Sequence, residues 1–207
     1  MLQYLVEELR RFGLYDPPVG YGSFSGPEAV VGIEWVRLKL DLDAFDDARF
    51  EPYLRSCRQA GLEFTTMADV GDTAEHRRAL YELNRTCSAD IPGRGEFYSF
   101  DEYLAQRIEV PTYDPRGVVL ALDGGSWIGM AATSIRPEGH AFSEMTGVLA
   151  GHRGRGISLA MKLLAIRYAR SAGVRWLRTL HHPGNASAIG MNRRLGFVDD
   201  APPTAVA

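Results

Sequence analysis

Residues Thr146-Gly147-Val148-Leu149-Ala150-Gly151-His152-Arg153-Gly154-Arg155-Gly156 read as the end of an apolar strand, a basic glycine-rich turn and the start of a helix. That order of parts builds an anion site. Gly154 and Gly156 admit backbone torsions and close approaches that other residues resist. The helix that follows contributes unpaired N–H groups and the positive end of its dipole. Arg153 and Arg155 add mobile positive charge. The pattern points to a phosphate-bearing ligand.

Downstream, Ile157, Ala160, Met161, Leu164, Ala165 and Tyr168 form an apolar stripe, which predicts a helix near 156–172 closed by Gly173. A strand over 174–180 and a helix near 186–195, ended by Gly196, complete that side. Upstream, three strands are expected at 117–123, 126–135 and about 140–149, with Gly124-Gly125 as the first hairpin turn. Asp72-Thr-Ala-Glu75 and Ser99-Phe-Asp-Glu102 have capping-box spacing and predict helices near 73–87 and 100–109. A strand at 62–67, a helix over 45–60, a strand across Ala29–Leu42 and a helix at 2–12 fill the remainder. The expected fold is α/β of the α+β kind: a mixed, mostly antiparallel sheet flanked by helices, with an N-terminal extension.

The 207 residues suit one domain plus that extension, and 45% hydrophobic with 24% charged residues is an ordinary globular composition. No apolar run approaches the ~18 residues of a membrane span. The amphipathic, acid-bearing start is unlike a signal peptide, so no membrane role is expected and the cytoplasm is the expected compartment. Cys57 and Cys87 offer neither a disulfide framework nor metal spacing. The net charge of −3 hides an asymmetry. Residues 151–207 hold 9 Lys+Arg and 2 Asp+Glu, a balance of +7, against −10 in residues 1–150. A basic segment without an aromatic-rich basic signature, in a chain that is acidic as a whole, argues against nucleic acid and for a small polyphosphate ligand.

Three glycine-rich sites compete. A Walker loop needs Lys-Ser/Thr after its second glycine, which is absent. The dinucleotide fingerprint would need a third glycine where Leu159 stands, and an acid after the next strand, which instead ends in Thr179-Leu180-His181. The spacing present is Gly151-x-x-Gly154-x-Gly156 before a long helix. With Val148 and Arg153 it resembles the coenzyme A signature of the GNAT (GCN5-related N-acetyltransferase) superfamily. A second motif of that family matches Asn185-x-x-x-x-x-x-Asn192-x-x-Leu195-Gly196-Phe197. The resemblance covers roughly residues 62–197, and the variety it is similar to is the actinobacterial tandem acetyltransferase of the mycothiol-synthase type.

The resemblance implies acetyl-CoA as cosubstrate, no metal, and transfer of the acyl group to a primary amine by direct attack, with a small-molecule amine or a peptide as acceptor. Backbone groups at Thr146, Val148 and Leu149 would pair with the pantetheine arm. The N–H groups of Arg153, Gly154, Arg155, Gly156 and Ile157 would hold the pyrophosphate, and Asn185 and Asn192 would border the coenzyme. Glu144 stands where relatives place a water-mediated base; an acid on an alternating strand is also an ordinary solvated face. His140 and Ser143 share its strand. Asp90, Glu96 and Tyr98 lie in the region that shapes the acceptor pocket. His181-His182, adjacent on a strand, point to opposite faces and do not chelate one ion. Departures from the family pattern are Ala150 for proline, Gly151 for Gln/Arg, and Asn192 where many relatives carry a tyrosine acid. That loss leaves a non-catalytic acyl-CoA-binding or regulatory module as the alternative.

Family members usually continue past Leu-Gly-Phe with a strand, a loop and a last strand. Here only Val198–Ala207 follow, broken by proline. Residues 1–60 resemble the tail of a preceding acetyltransferase domain, with the catalytic domain at 61–207. The Ala29–Leu42 strand is expected to extend the sheet, in cis or from a second subunit. An edge left open would favour a homodimer by edge pairing.

Overall fold

The structure is a computed structural model that describes residues 34–93 and 95–200. The helix expected at 2–12, the segment 29–33 and the tail 201–207 lie outside the described residues. Seven strands form one sheet: β1 (Val36–Asp41), β2 (Leu62–Thr66), β3 (Val118–Asp123), β4 (Ser126–Arg136), β5 (His140–Val148), β6 (Trp176–His181) and β7 (Val198–Asp199). Their order is β2-β3-β4-β5-β6-β1-β7. Every pairing is antiparallel except β5 with β6.

The place beside β6 is taken in cis. β1 pairs antiparallel with β6 from Val36↔His181 to Asp41↔Trp176, and its other edge carries the short β7. Leu38 and Leu40 on its inner face are 0% and 4% exposed, so β1 belongs to the core rather than lying on it.

The helices are α1 (Glu51–Gln59), α2 (Met67–Val70), α3 (Ala74–Ser88), α4 (Phe100–Tyr103), α5 (Ile157–Ser171) and α6 (Ala186–Arg194). α1 and α5 cover one face of the sheet, and α2–α4 cover the other. Successive residues of β3 serve both cores: Val119 and Ala121 face α5, while Val118 and Leu120 face α3 and α4. That is the uninterrupted apolar run expected of a strand buried on both faces.

Local chemistry sets the ends. Ser99 and Glu102 form the expected capping box, and α4 runs on as a π-helical segment, Leu104–Ile108. At α3 the cap is Thr73, not Asp72, because Asp72 is drawn into a two-pronged pair with Arg77 (2.9 and 2.8 Å) and a bond from Tyr113 (3.2 Å). The strand expected to reach Met67 stops at Thr66, whose own capping box with Asp69 starts α2. In α5 the apolar surface is wider than one stripe: Leu159, Lys162, Leu163, Ile166 and Ala169 are also buried.

The charge asymmetry closes on itself. Arg167 and Arg170 bind Asp47 and Glu51, Arg175 binds Asp41, Arg178 approaches Asp200, and Arg193 binds Asp199. Much of the basic segment therefore neutralises acids within the fold.

Candidate active site

The parallel seam between β5 and β6 holds for only two residue pairs, Ala141↔Leu177 and Phe142↔Arg178. Beyond them the strands part, and a cleft of about 410 Å³ occupies the opening. On the β4 side the pairing of β5 continues to Gly129↔Val148, and Leu149 N–H still donates to Ile128 O at 2.8 Å. Alternate residues of a strand present their amides to opposite edges. Thr146 and Val148 therefore turn their N–H groups toward the cleft, where an extended ligand could accept from them, while Val148 O is taken by Arg153.

The turn after β5 forms the wide end. Gly154 (φ 77) and Gly156 (φ 78) both take left-handed backbone. Gly156 is the N-cap of α5 and offers no side chain to its N–H groups. Those donors are left for a ligand at the dipole's positive end. A Cβ on Gly156 would sit 2.9 Å from the Tyr53 ring, so the turn is shaped by α1 as well as by its own sequence.

Gly154, Gly156, Ile157, Asn185 and Asn192 line the cleft together with Glu144, Thr146, Val148, Arg153 and Asp90. Leu149 packs under the sheet and Arg155 turns outward to Asp123 at 3.7 Å, so neither side chain belongs to it. Glu96 borders a separate cavity with Arg85 and Ser88. Tyr98 borders that cavity too, and its hydroxyl accepts from Arg107, which lines the main cleft. Arg153 is committed to the protein: Nε donates to Val148 O (2.9 Å) and Nη1 to Asp90 (2.8 Å). Asn185 caps α6 by accepting from Ala188 N–H at 3.2 Å.

Glu144 sits at a bulge, where the register of β5 against β4 slips between Ala132 and Thr133. Its carboxylate accepts from Ser134 (2.5 Å), Arg136 (2.7 Å) and Arg107 (3.2 Å). These donors mark the α3–α4 face of the cleft. None of the three stands out in sequence, because they meet only through the hairpin register and the π-helical turn.

The opposite, α5 face is polar where an apolar core would be expected. Lys162 Nζ donates to Ser143 Oγ at 2.9 Å and lies 5.0 Å from the Phe197 ring centre. Thr179 donates to Ser143 O (3.2 Å), and Asn192 Nδ2 meets His181 Nε2 (2.8 Å) and Ala188 O (3.0 Å). Burial pulls Lys162 down to about 7, and burial with the nearby Lys162 pulls His181 down to about 4. Cys87, also in the cleft, is pushed up to about 11 by burial, which leaves it a thiol at neutral pH. His182 stands apart from His181, edge-on to Trp35 at 5.9 Å. Among the described residues no group of three or more His, Cys, Asp or Glu converges as a metal site, and no helix is long and apolar enough to cross a membrane.

A model of the "Acetyltransferase (GNAT) family" matches residues 77–197, more than half of the chain. The chain belongs to the GNAT acetyltransferase family. It is 32% identical over 125 residues to a mycothiol acetyltransferase of Pseudarthrobacter chlorophenolicus, covering 58% of this chain and 38% of that protein. The chain thus spans about two fifths of the length of that curated relative. In structure it is similar to a GCN5-related N-acetyltransferase from Sphaerobacter thermophilus (TM-score 0.56, 20% identity), covering 80% of this chain and 48% of the other. It is also similar to an aminoglycoside N-acetyltransferase in complex with CoA (TM-score 0.53, 20% identity; 70% and 93% covered). At such identities the likeness is one of fold.

Proposed function

We propose that this GNAT protein is an acyl-CoA-dependent N-acyltransferase that moves an acetyl group from acetyl-CoA to a primary amine. The observation that carries the reading is the parted seam: the cleft-facing N–H groups of Thr146 and Val148 lead directly into the glycine turn and the uncapped N-terminus of α5. The N–H groups from Gly154 to Ser158 would take the pyrophosphate, each charge-assisted bond contributing on the order of 1.5–3 kcal/mol. The pantetheine arm would add along β5 as an extra strand. The thioester oxygen would meet backbone N–H groups near Thr146, where developing negative charge is stabilised without reorganisation.

The amine would approach from the α3–α4 face, past Asp90 and Glu144. Glu144, fixed by Ser134, Arg136 and Arg107, would take the amine's proton through a water. Attack on the carbonyl carbon gives a tetrahedral adduct that collapses with loss of the CoA thiolate. The names of the relatives support a small-molecule acceptor, a peptide amine being the other candidate, and the cytoplasm remains the proposed compartment. The test is thiol release from acetyl-CoA across a panel of amines, amino sugars and peptides. Release with any of them supports the reading. Tight acetyl-CoA binding without release across the panel would favour a non-catalytic acyl-CoA-binding module.

A further inference from the structure

The acids and arginines that line the cleft do not balance. Arg153 and Asp90 bind each other, while Arg107 and Arg136 share Glu144 between them. Among the described residues Glu144 is the one acid paired with either arginine. Two guanidiniums against one carboxylate leave one positive charge in excess. It lies on the α3–α4 face, where the amine enters on the proposed function.

Both guanidiniums are held in place and only partly used. Arg107 gives Nη1 to Glu144 (3.2 Å) and Nη2 to the Tyr98 hydroxyl (3.3 Å), with its Cζ 5.7 Å from the Tyr98 ring centre. Arg136 gives Nη2 to Glu144 (2.7 Å), its Cζ lies 5.2 Å from the Phe142 ring centre, and its buried Nε has no partner among the described residues. A guanidinium carries five N–H donors, so Glu144 takes up neither fork whole. Both side chains line the cleft and stay partly exposed, at 29% and 19%.

We propose that the acceptor is an amine that also carries a carboxylate, and that Arg107 and Arg136 bind that carboxylate. The inference rests on the acyltransferase reading above. A carboxylate matches the planar guanidinium fork and takes two parallel bonds from it. Its single negative charge equals the excess, whereas a phosphate monoester, at about −1.5 to −2, exceeds it. The same excess works against diamines and polyamines, whose second ammonium is repelled at this wall.

Geometry limits the spacing of the two groups. A carboxylate has about four acceptor sites, and the three donors on Glu144 leave one for the water that relays the amine's proton. Two hydrogen bonds through that water place the amine nitrogen up to about 6 Å from Glu144. The guanidinium nitrogens lie 2.7 and 3.2 Å from Glu144, and a bound carboxylate adds one contact of about 2.8 Å. Amine and carboxylate are therefore neighbours on a small molecule, separated by a few carbons, as in a short amino acid.

Thiol release from acetyl-CoA is measured with glycine, β-alanine and γ-aminobutyrate, with the carboxamide of each, and with putrescine and phosphoethanolamine. Each kcat/KM is referred to the free-amine concentration. At least one acid should exceed its own carboxamide by about ten- to a hundredfold, chiefly through KM, as one charge-assisted bond or more requires. Arg136→Gln should shrink that ratio toward one, and Arg136→Lys, which keeps the charge and loses the fork, should retain part of it. A ratio unchanged in Arg136→Gln, with both acceptors slowed alike, overturns the assignment of Arg136. If the variants fail to fold, the wild-type ratios decide. Equal kcat/KM for every acid and its carboxamide, or faster release with putrescine, overturns the inference and leaves acyl transfer standing. Phosphoethanolamine ahead of every acid overturns the choice of carboxylate. Release with the amines, amino sugars or peptides named above but with none of these acids overturns the inference alone. Release with nothing, while calorimetry shows acetyl-CoA bound, overturns the transfer reading with it.

Discussion

Replacing Gly156 with alanine, beside the same change at Gly154, separates the two roles assigned to the glycine turn. Both residues have φ near +78°, at 77 and 78. An L side chain in left-handed backbone costs about 1–2 kcal/mol at either position. The surroundings differ. A Cβ on Gly154 meets nothing within 4 Å, whereas one on Gly156 falls 2.9 Å from the Tyr53 ring. That ring cannot easily swing away, because it stacks near Phe50 and its hydroxyl accepts from Arg194. Crowding of this kind adds about 1–3 kcal/mol. Gly154→Ala should therefore lose about 1–2 kcal/mol of unfolding free energy and Gly156→Ala about 2–5 kcal/mol, read from urea midpoints at constant m-value. Calorimetry with acetyl-CoA should show Gly156→Ala weakened about tenfold or more, as loss of one charge-assisted N–H contact requires. Equal stability of the two variants would refute the role of Tyr53. Unchanged affinity in both would refute the cradle.

Leu38→Ala should cost about 2–5 kcal/mol, since Leu38 is fully buried in the strand that fills the sheet in cis; a change within 0.5 kcal/mol would detach β1 from the core. Lys162 titrates near 7 in the fold and near 10.5 unfolded, so between those values the unfolded chain binds more protons and wild-type stability should rise with pH. Lys162→Met should lose that slope above pH 7 in urea titrations, and parallel curves for the two proteins would refute the buried amine. Glu144→Gln should slow thiol release while leaving acetyl-CoA affinity intact; unchanged turnover would remove Glu144 as the base.

Features governed by one residue's own chemistry are readable in the sequence. The Ser99–Glu102 box, the Gly124-Gly125 hairpin and the left-handed glycines at helix ends stand where expected. Features decided by distant partners are not. Asp72 gave up its cap because Arg77 and Tyr113 bind it, and Tyr113 lies 41 residues away. The glycine turn pointed to a phosphate ligand, but the Arg107–Glu144–Arg136 cluster exists only because a β-bulge and a π-helical turn meet. Lys162 carried no signal: in a helical pattern a lysine reads as a solvated position, and only the position of α5 against the sheet buries it. Aliphatic stem and amine alike lie under the seam.

On the proposed function, the parted seam and its glycine turn bind coenzyme A esters. Thermal and urea stability are measured with acetyl-CoA, NAD and ATP at one shared concentration, a hundred times the Kd expected for acetyl-CoA. Acetyl-CoA should raise stability by about 2.7 kcal/mol, with no comparable gain from NAD or ATP. No gain with acetyl-CoA, or an equal gain with NAD or ATP, would contradict it.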